Sequence, residues 1–329
     1  CTQVLANLGA DVIKVERPGS GDDPRGWGPP FLKDGEGNET PESAYYLCAN
    51  RNKRSLTVDL STEEGQAVIR RLAMRSDVLV ENFKVGDMAR HGLDAATLRA
   101  AHPRLVYCSI TGFGQDGPYA QRAGYDFAVQ GLGGLMSVTG AADGEPQKVG
   151  VAVADLFTGM YATVVILAAR RHRGATGEEE SADMALLDAQ VAMLANLGSH
   201  YLVGGEVPAR QGNAHANIVP YQVFAVADGH IIVAVGNDRQ FARLCELLGL
   251  AALGQDARFA ANAGRVRHRD ALIPVLQQAF RARDRHACLA SLEAAGIPCG
   301  PVNDLAEVFA DPQVRARGMV VDAPHPHAG

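Results

Sequence analysis

A chain of 329 residues, 47% hydrophobic and 21% charged, has the length for one large α/β domain or two smaller cores. Its net charge of -6 at pH 7 leaves no electrostatic footprint for nucleic acid or an anionic membrane, so an anionic ligand must be met by a local basic cluster. No apolar run reads as long enough to cross a bilayer, and the six cysteines are scattered without CxxC pairing, which predicts reduced thiols in a cytoplasmic protein.

Residues 1–8 read as the interior of an amphipathic helix ended by Gly9, and Asp11 to Glu16 as a short β-branched strand. Neither terminus carries a capped element or a signal-peptide pattern, so both ends read as cut within a longer sequence. The loop from Arg17 to Trp27 is rich in turn formers; Trp27, the single tryptophan, either packs this loop or walls a pocket. After Asn50-Arg-Asn-Lys-Arg-Ser55 comes a strand at Leu56 to Leu60. Ser61-Thr-Glu-Glu then starts a helix with capping-box chemistry that runs to about Met74. Strands at Asp77–Asn82 and Leu105–Ile110 flank a short helix near 86–100. Strands alternating with amphipathic helices predict βαβ units in a doubly wound, Rossmann-like parallel sheet, with ligands outside the carboxyl ends of the strands. Those ends carry Glu16-Arg17, Glu81-Asn82-Phe83-Lys84 and Thr111-Gly-Phe-Gly114. Gly131-Leu-Gly-Gly-Leu-Met follows no strand and lacks the GxGxxG spacing, so it is not a dinucleotide loop.

A strand-type run from Val149 to Ala154 reaches Asp155, and a long apolar helix follows to about Arg171. A carboxylate at that junction faces the first-turn N–H groups and the positive end of the helix dipole, which predicts that it stays ionised as a nucleophile requires. The plainer alternative is a simple N-cap. Beyond a charged turn, Gly177-Glu-Glu-Glu-Ser-Ala-Asp, a second helix is expected over 184–203, ending at Gly204-Gly205. From Tyr221 an Asp228-Gly229 turn joins two alternating runs into a hairpin, and helices follow near 238–249, 268–281 and 285–295. The expected organisation is an α/β large domain over 1–204, a small α+β domain over 205–310, and a return segment over 311–329.

These motifs together resemble the family III CoA-transferases of the CaiB/BaiF type, the group of formyl-CoA transferase, carnitine CoA-transferase and α-methylacyl-CoA racemase. The resemblance is carried by Leu8-Gly-Ala-Asp-Val-Ile-Lys-Val-Glu-Arg-Pro-Gly-Ser-Gly-Asp-Asp, Asn52-Lys-Arg-Ser-Leu-Thr-Val-Asp-Leu, Val80-Glu-Asn-Phe, Gly124-Tyr-Asp-Phe-Ala-Val-Gln, the Asp155 segment and Arg210-Gln-Gly-Asn-Ala-His-Ala-Asn-Ile-Val-Pro-Tyr, nearly the whole chain in order. Within the group, the 210–240 segment and Gly296-Ile-Pro-Cys-Gly-Pro are most similar to succinyl-CoA:dicarboxylate transferases of the hydroxymethylglutarate/glutarate type.

The resemblance implies that Asp155 is the nucleophile of a CoA transfer through an aspartyl-CoA thioester. It implies CoA contacts by Arg17, Asn50, Lys53, Arg54, Asn82, Phe83 and Arg90. Arg17 lies near the adenine, Asn82 and Arg90 near the pantetheine and phosphates, and each base has a solvated surface charge as its alternative. Coenzyme A is then a substrate and no cofactor or metal is expected. The partners are an acyl-CoA, a carboxylic acid and a second copy of the chain in an interlocked dimer. Racemases of the group carry a histidine where this chain has Tyr125; a tyrosine of ordinary pKa roughly 10 is a poor proton-transfer partner, which favours transfer over racemisation. Tyr125 and Asp126, with Trp27, are expected to shape the acyl pocket. Arg210, His215 and Arg239 are candidates for pairing with a distal carboxylate, the alternative for His215 being a loop histidine bonded to backbone. The glycine-run loop that covers the aspartate in formyl-CoA transferases has no counterpart, Gly204-Gly205 and Gly212-Asn213 being nearest. The strand and loop that precede Cys1 in the family are expected outside this sequence. A racemase of the same fold, a non-catalytic CoA-binding protein and, more remotely, a nicotinamide-dependent dehydrogenase are the competing readings.

Overall fold

The computed structural model describes residues 1–177, 181–325 and 328, so Glu178, Glu179 and Glu180 of the expected charged turn lie outside the described residues. The chain divides into two compact units. The first holds Cys1–Ser137 and Gln147–Pro208 with the described residues from Pro324; the second holds Val138–Pro146 and Ala209–Ala323.

The first unit is mixed α/β. It opens with α1 (Thr2–Asn7), β1 (Val12–Glu16), the hairpin β2 (Phe31–Lys33) and β3 (Glu39–Ser43), α2 (Ala44–Asn50) and β4 (Lys53–Thr57). Then come α3 (Glu63–Ala73), β5 (Val78–Glu81), α4 (Asp87–Arg90), α5 (Ala95–Ala101), β6 (Val106–Thr111), α6 (Asp126–Leu132) and α7 (Leu135–Val138). It closes with α8 (Val153–Thr176), β7 (Ser181–Ala185), α9 (Leu186–Ala192) and α10 (Ala195–Gly204). β1 pairs β4 and β5-β6-β7 form a second ladder, all parallel as the alternation of strands and helices predicts, while β2–β3 is antiparallel. One face of β5-β6-β7 packs Cys108 and Ala182 against Ala162 and Ile166 of α8; the other packs Tyr107 with Leu93, Leu98 and Ile69.

Several expected boundaries move, each for a local reason. The strand expected at Leu56–Leu60 begins three residues earlier, at Lys53, where β1 offers partners, and ends before Asp59, whose carboxylate turns the chain by accepting the Ser61 N–H. Thr62 caps α3 by accepting the Gly65 N–H, but with glycine at that position no side chain returns to complete a box. The expected helix over 184–203 opens instead as β7, captured by β6, before α9 and α10. The expected strand at Val149–Ala154 does not form: the Val149 N–H is taken by the Gln130 side chain, and α8 already begins at Val153.

α8 also corrects the expectation that no run could cross a bilayer. By length and composition alone, its 24 residues are long and apolar enough to do so. Its small residues Ala154, Thr158 and Ala162, with Ile166, are nevertheless buried in the first unit.

The second unit contains the predicted hairpin, β8 (Tyr221–Val226) and β9 (Gly229–Ala234), extended by β10 (Cys299–Pro301) into an antiparallel sheet. α11 (Asp238–Leu247), α12 (Ala251–Gly254), α13 (Asn262–Arg267), α14 (Arg269–Arg281) and α15 (Arg285–Ala294) cover it, and α16 (Leu305–Ala310) and α17 (Pro312–Ala316) follow. Its apolar core includes Phe224, Ile231, Val233, Phe241, Leu272 and Phe280, none more than 1% exposed. Arg265 lies inside this core at 0% exposure. Its guanidinium donates to the carbonyls of Val219, Phe259 and Ala260 and to Asp238 Oδ1, and stacks 4.6 Å from the Phe241 ring centroid. Such a group ties the entry to β8 to two helices. Arg265→Ala strips three carbonyls of their donor and leaves a cavity, so it is expected to cost about 3 kcal/mol. Denaturant titration by circular dichroism, with hydrogen exchange of the β8 and β9 amides, checks this; unchanged amide protection contradicts it.

Candidate active site

The geometry around Asp155 starts from two glycines. A Cβ on Gly112, just beyond β6, would lie 2.6 Å from Gly124 Cα, and one on Gly124 would lie 2.5 Å from Gly112 Cα. Only a glycine pair lets these backbones cross so closely, and the crossing delivers Tyr125 and Asp126 from the end of β6 to the start of α8.

There Asp126 Oδ1 accepts the N–H of Ala154 at 2.8 Å and of Asp155 at 3.2 Å. Its other oxygen accepts the Gln130 amide at 2.6 Å, and Gln130 Oε1 in turn accepts the Val149 N–H at 2.9 Å. Gln130 is fully buried. The long helix is therefore capped by a carboxylate from another helix, while Ala152 at its own N-cap position makes no side-chain bond. Asp155 is neither an N-cap nor the acceptor of the first-turn N–H groups. Its side chain reaches the surface, yet protein crowds it enough that loss of hydration, with the Asp126 charge as a smaller repulsion, pushes its carboxyl up to about 6. The expectation that the helix N-terminus holds it ionised is thereby corrected: Asp126 has taken the N–H groups that would have done so.

Tyr45, on α2, stands in the field of both carboxylates; burial first, then Asp155, push its hydroxyl up. Trp27 meets the Tyr45 ring edge-on, with centroids 5.0 Å apart, so it flanks the site through this tyrosine. Tyr45 and Gln130 escaped the sequence reading: Tyr45 is one of two adjacent tyrosines with nothing local to single it out, and Gln130 is identified only by the network it closes. Tyr125, beside Asp126, is 73% exposed.

Of the expected CoA-binding residues, Arg17 follows β1 and Asn82 and Phe83 follow β5, whereas Asn50 ends α2, Lys53 and Arg54 open β4 at the amino end of the β1–β4 ladder, and Arg90 ends α4. Glu16, buried at the end of β1, organises the loop that carries Arg17 and Trp27. It accepts from Arg25 Nε at 2.7 Å and Nη2 at 2.9 Å, from the Ser55 hydroxyl and from the Asp22 N–H. Arg25 above all holds its carboxyl down at about 2. A cavity of about 500 Å³ opens between Glu16, Arg17, Phe31, Pro41 and Thr57. Asn50 Oδ1 is shared by Lys14 Nζ at 2.8 Å and Lys53 Nζ at 3.2 Å; burial and then the repulsion of Lys14 lower the Lys53 ammonium to about 8.

Arg17, Arg54 and Arg90 are ion-paired with Asp23, Asp11 and Asp87 respectively. All three guanidiniums are exposed, where such pairs contribute about 0–1 kcal/mol and exchange readily for a phosphate. Asn82 and Phe83 are exposed after β5, and the Phe83 N–H is fixed on Glu81 Oε2 at 2.7 Å. Among the described residues, no group of three or more His, Cys, Asp or Glu is placed to hold a metal ion.

Arg210 and His215 belong to the second unit. Arg210 donates to the carbonyls of Ala141 and Gly144. His215 Nδ1 accepts the Asn217 N–H, its ring lies 5.3 Å from Tyr221, and Arg269 holds the His215 and Ala216 carbonyls. This histidine is thus the backbone-bonded loop residue that its alternative describes. Arg239 is exposed on α11.

The chain belongs to the CoA-transferase family III, whose family model matches residues 1–329. It is 52% identical over 320 residues to a succinate–glutarate CoA-transferase of Agrobacterium fabrum, covering 97% of this chain and 80% of that one. It is 43% identical to the human succinyl-CoA:glutarate CoA-transferase over 328 residues, covering 100% of this chain and 73% of that protein. A CaiB/BaiF family protein from Brucella suis superposes with a TM-score of 0.87 at 52% identity, over 97% of this chain and 84% of that one.

The raised Asp155 carboxyl has a consequence for stability. It ionises less readily folded than unfolded, so folding favours its proton. That contribution is whole below the unfolded value of roughly 4 and is lost as pH rises through about 6. Asp155→Asn, uncharged at every pH, is expected to melt at a higher temperature than wild type at pH 7.5, with the difference closing toward pH 4. Melting curves across that range check it; a lower midpoint at pH 7.5 refutes it.

Proposed function

We propose that this CoA-transferase moves CoA from succinyl-CoA to glutarate or a closely similar dicarboxylate, with Asp155 as nucleophile. The observation that carries the reading is a partly desolvated carboxylate, pushed up to about 6, at the start of α8, in a stretch that resembles the family's nucleophile segment and lies within a family match over residues 1–329. The substrate class rests on relatives at 52% and 43% identity named for succinate or succinyl-CoA and glutarate.

In this reading the ionised Asp155 carboxylate attacks the donor thioester carbon, giving a mixed anhydride and CoA thiolate. The thiolate attacks the Asp155 carbonyl, forming aspartyl-CoA and releasing the donor acid. The acceptor carboxylate attacks that thioester and expels the thiolate, which finally attacks the acceptor acyl carbon and frees Asp155. Each step exchanges one acyl bond for another, so the thioester energy is retained as long as water is kept away.

Arg17, Arg54 and Arg90 exchange their aspartate partners for the CoA phosphates, Lys53 and Asn50 lie along the same route, and Asn82 and Phe83 meet the pantetheine. Trp27, Tyr45 and Tyr125 line the acyl pocket. Coenzyme A is a substrate, and no other cofactor is required. We further infer that the β1–β4 and β5-β6-β7 ladders, separate here but both parallel, are parts of a doubly wound, Rossmann-like arrangement in a cytoplasmic enzyme.

An interlocked homodimer is the natural occupant of the α8 surface. Leu156, Met160 and Val164, with Phe157 and Tyr161, form exposed apolar rows at four-residue spacing along this helix. A second copy covers them without any need for lipid.

The test is succinyl-CoA with wild type and Asp155→Ala, acid-quenched and digested. A CoA or succinyl adduct on the Asp155 peptide, released by hydroxylamine and absent from the variant, is expected. No adduct despite CoA binding would remove the transferase reading, and α-proton exchange in deuterated water would then favour the racemase. Sedimentation should give a dimer, which Leu156→Glu with Met160→Glu shifts toward monomer.

A further inference from the structure

We propose that Asp126, held by the buried amide of Gln130, is a positioning residue that presents the Asp155 carboxylate unsolvated by its own helix. The inference rests on Asp155 being the nucleophile.

A carboxylate in the first turn of a helix ordinarily finds N–H donors to accept from, and such donors both stabilise the anion and turn it toward the backbone. In α8 the N–H groups of Ala154 and Asp155 are occupied by Asp126 Oδ1 at 2.8 and 3.2 Å. Asp126 cannot turn away, because Oδ2 is bound by Gln130 Nε2 at 2.6 Å and Gln130 is anchored by the Val149 N–H. The helix keeps its cap, and the nucleophile is left outward-facing with a like charge behind it. A carboxylate denied donors is more basic and a stronger nucleophile toward a thioester carbon than one solvated by amides.

The titratable groups of the surrounding elements leave Asp126 as the neighbour that sets this charge. Tyr45 approaches from α2 with its hydroxyl pushed up, hence neutral, and Cys48 lies beyond it. The Cys1 backbone nitrogen, just before α1, lies against Gly159, one turn along α8. Cys108 of β6 is a buried thiol pushed up to about 12, and Asp183 of β7 accepts the Gln115 N–H. Asp188 is the acidic residue in the first turn of α9. Repulsion from Asp126 is the charge effect that acts with lost hydration to push Asp155 up to about 6.

The decisive variant is Asp126→Asn, which keeps an oxygen for the Ala154 and Asp155 N–H groups and removes the charge, while its amide NH2 replaces the acceptor of Gln130 Nε2, a loss that Gln130→Met controls for; asparagine is itself a good cap. The rate of adduct formation on Asp155 with succinyl-CoA is followed by rapid quench from pH 4.5 to 8. Wild type is expected to lose rate below pH 6. In Asp126→Asn this acid limb is expected to move down by about 1 pH unit, with a lower plateau because the carboxylate is less basic. Gln130→Met, which frees Asp126 to turn, is expected to lower the plateau several-fold with the succinyl-CoA KM little changed. A purely structural cap predicts that both variants change melting temperature and leave the acid limb in place; that result would falsify the inference while leaving Asp155 as nucleophile. Absence of any adduct in wild type would remove the nucleophile itself, and this inference with it.

Discussion

The arrangement depends on one carboxylate accepting two backbone N–H groups that belong to another helix. Asp126 on Ala154 and Asp155 ends α8 without spending the α8 sequence on a cap, which is why Ala152 can stand at the N-cap position with no polar side chain. That contact in turn requires α6 to start where it does, and α6 starts there because Gly112 and Gly124 let two backbones approach closer than any side chain permits. Gln130, one turn into α6, closes the network by taking the Val149 N–H, and so uses for the site the donor that a strand at 149–154 would have given to a sheet. Site and local fold are the same set of hydrogen bonds.

Two carboxylates of the first unit illustrate how environment sorts chemically identical groups. Glu16 is the more buried, yet Arg25, Ser55 and the Asp22 N–H hold it ionised down to about 2, and it shapes a loop. Asp155 has more accessible surface, yet lost hydration first, and then the like charge of Asp126, push it up to about 6. Glu16 suffers burial too, but its donors outweigh that cost, and among the described residues Asp155 has none to offset it. Lys53 is poised similarly on the basic side: it shares a single amide oxygen with Lys14, and its charge is destabilised to about 8.

The parallel ladders, the Asp228-Gly229 hairpin and the helix carrying Asp155 were legible because each is written locally, in alternation, turn chemistry and apolar length. What escaped was decided by partners distant in sequence. β7 escaped because Ser181, Ala182 and Asp183 continue a charged run that reads as turn, while Met184 and Ala185 suit a helix as well as a strand, and only the edge of β6 settles the matter. Val149–Ala154 reads as strand for its valines, and only the Gln130 amide explains why it is not one. The place of Asp155 at the start of a long apolar helix was readable, but not its electrostatics. Local rules give a first-turn aspartate the helix N–H groups, and nothing local reveals that residue 126 has already taken them. His215 and Arg210 stood out by their place in the small-domain segment, yet His215 Nδ1 accepts the Asn217 N–H, and Arg210 Nε and Nη2 donate to the Ala141 and Gly144 carbonyls.

On the proposed mechanism, a carboxylate that forms an anhydride must be both reachable by a bulky thioester and closed to water afterwards, and α8 offers a different face to each demand. Its small residues, Ala154, Thr158 and Ala162, seat it against the sheet and fix the start of the helix, so the nucleophile does not wander. Its exposed residues, Leu156, Phe157, Met160 and Tyr161, form the apolar rows that the proposed second copy would cover. Burying those rows would take water away from the helix that carries Asp155, water that could otherwise hydrolyse an acyl intermediate. The exposure of Asp155 in the free chain is therefore consistent with its chemistry: the shield is completed by what binds.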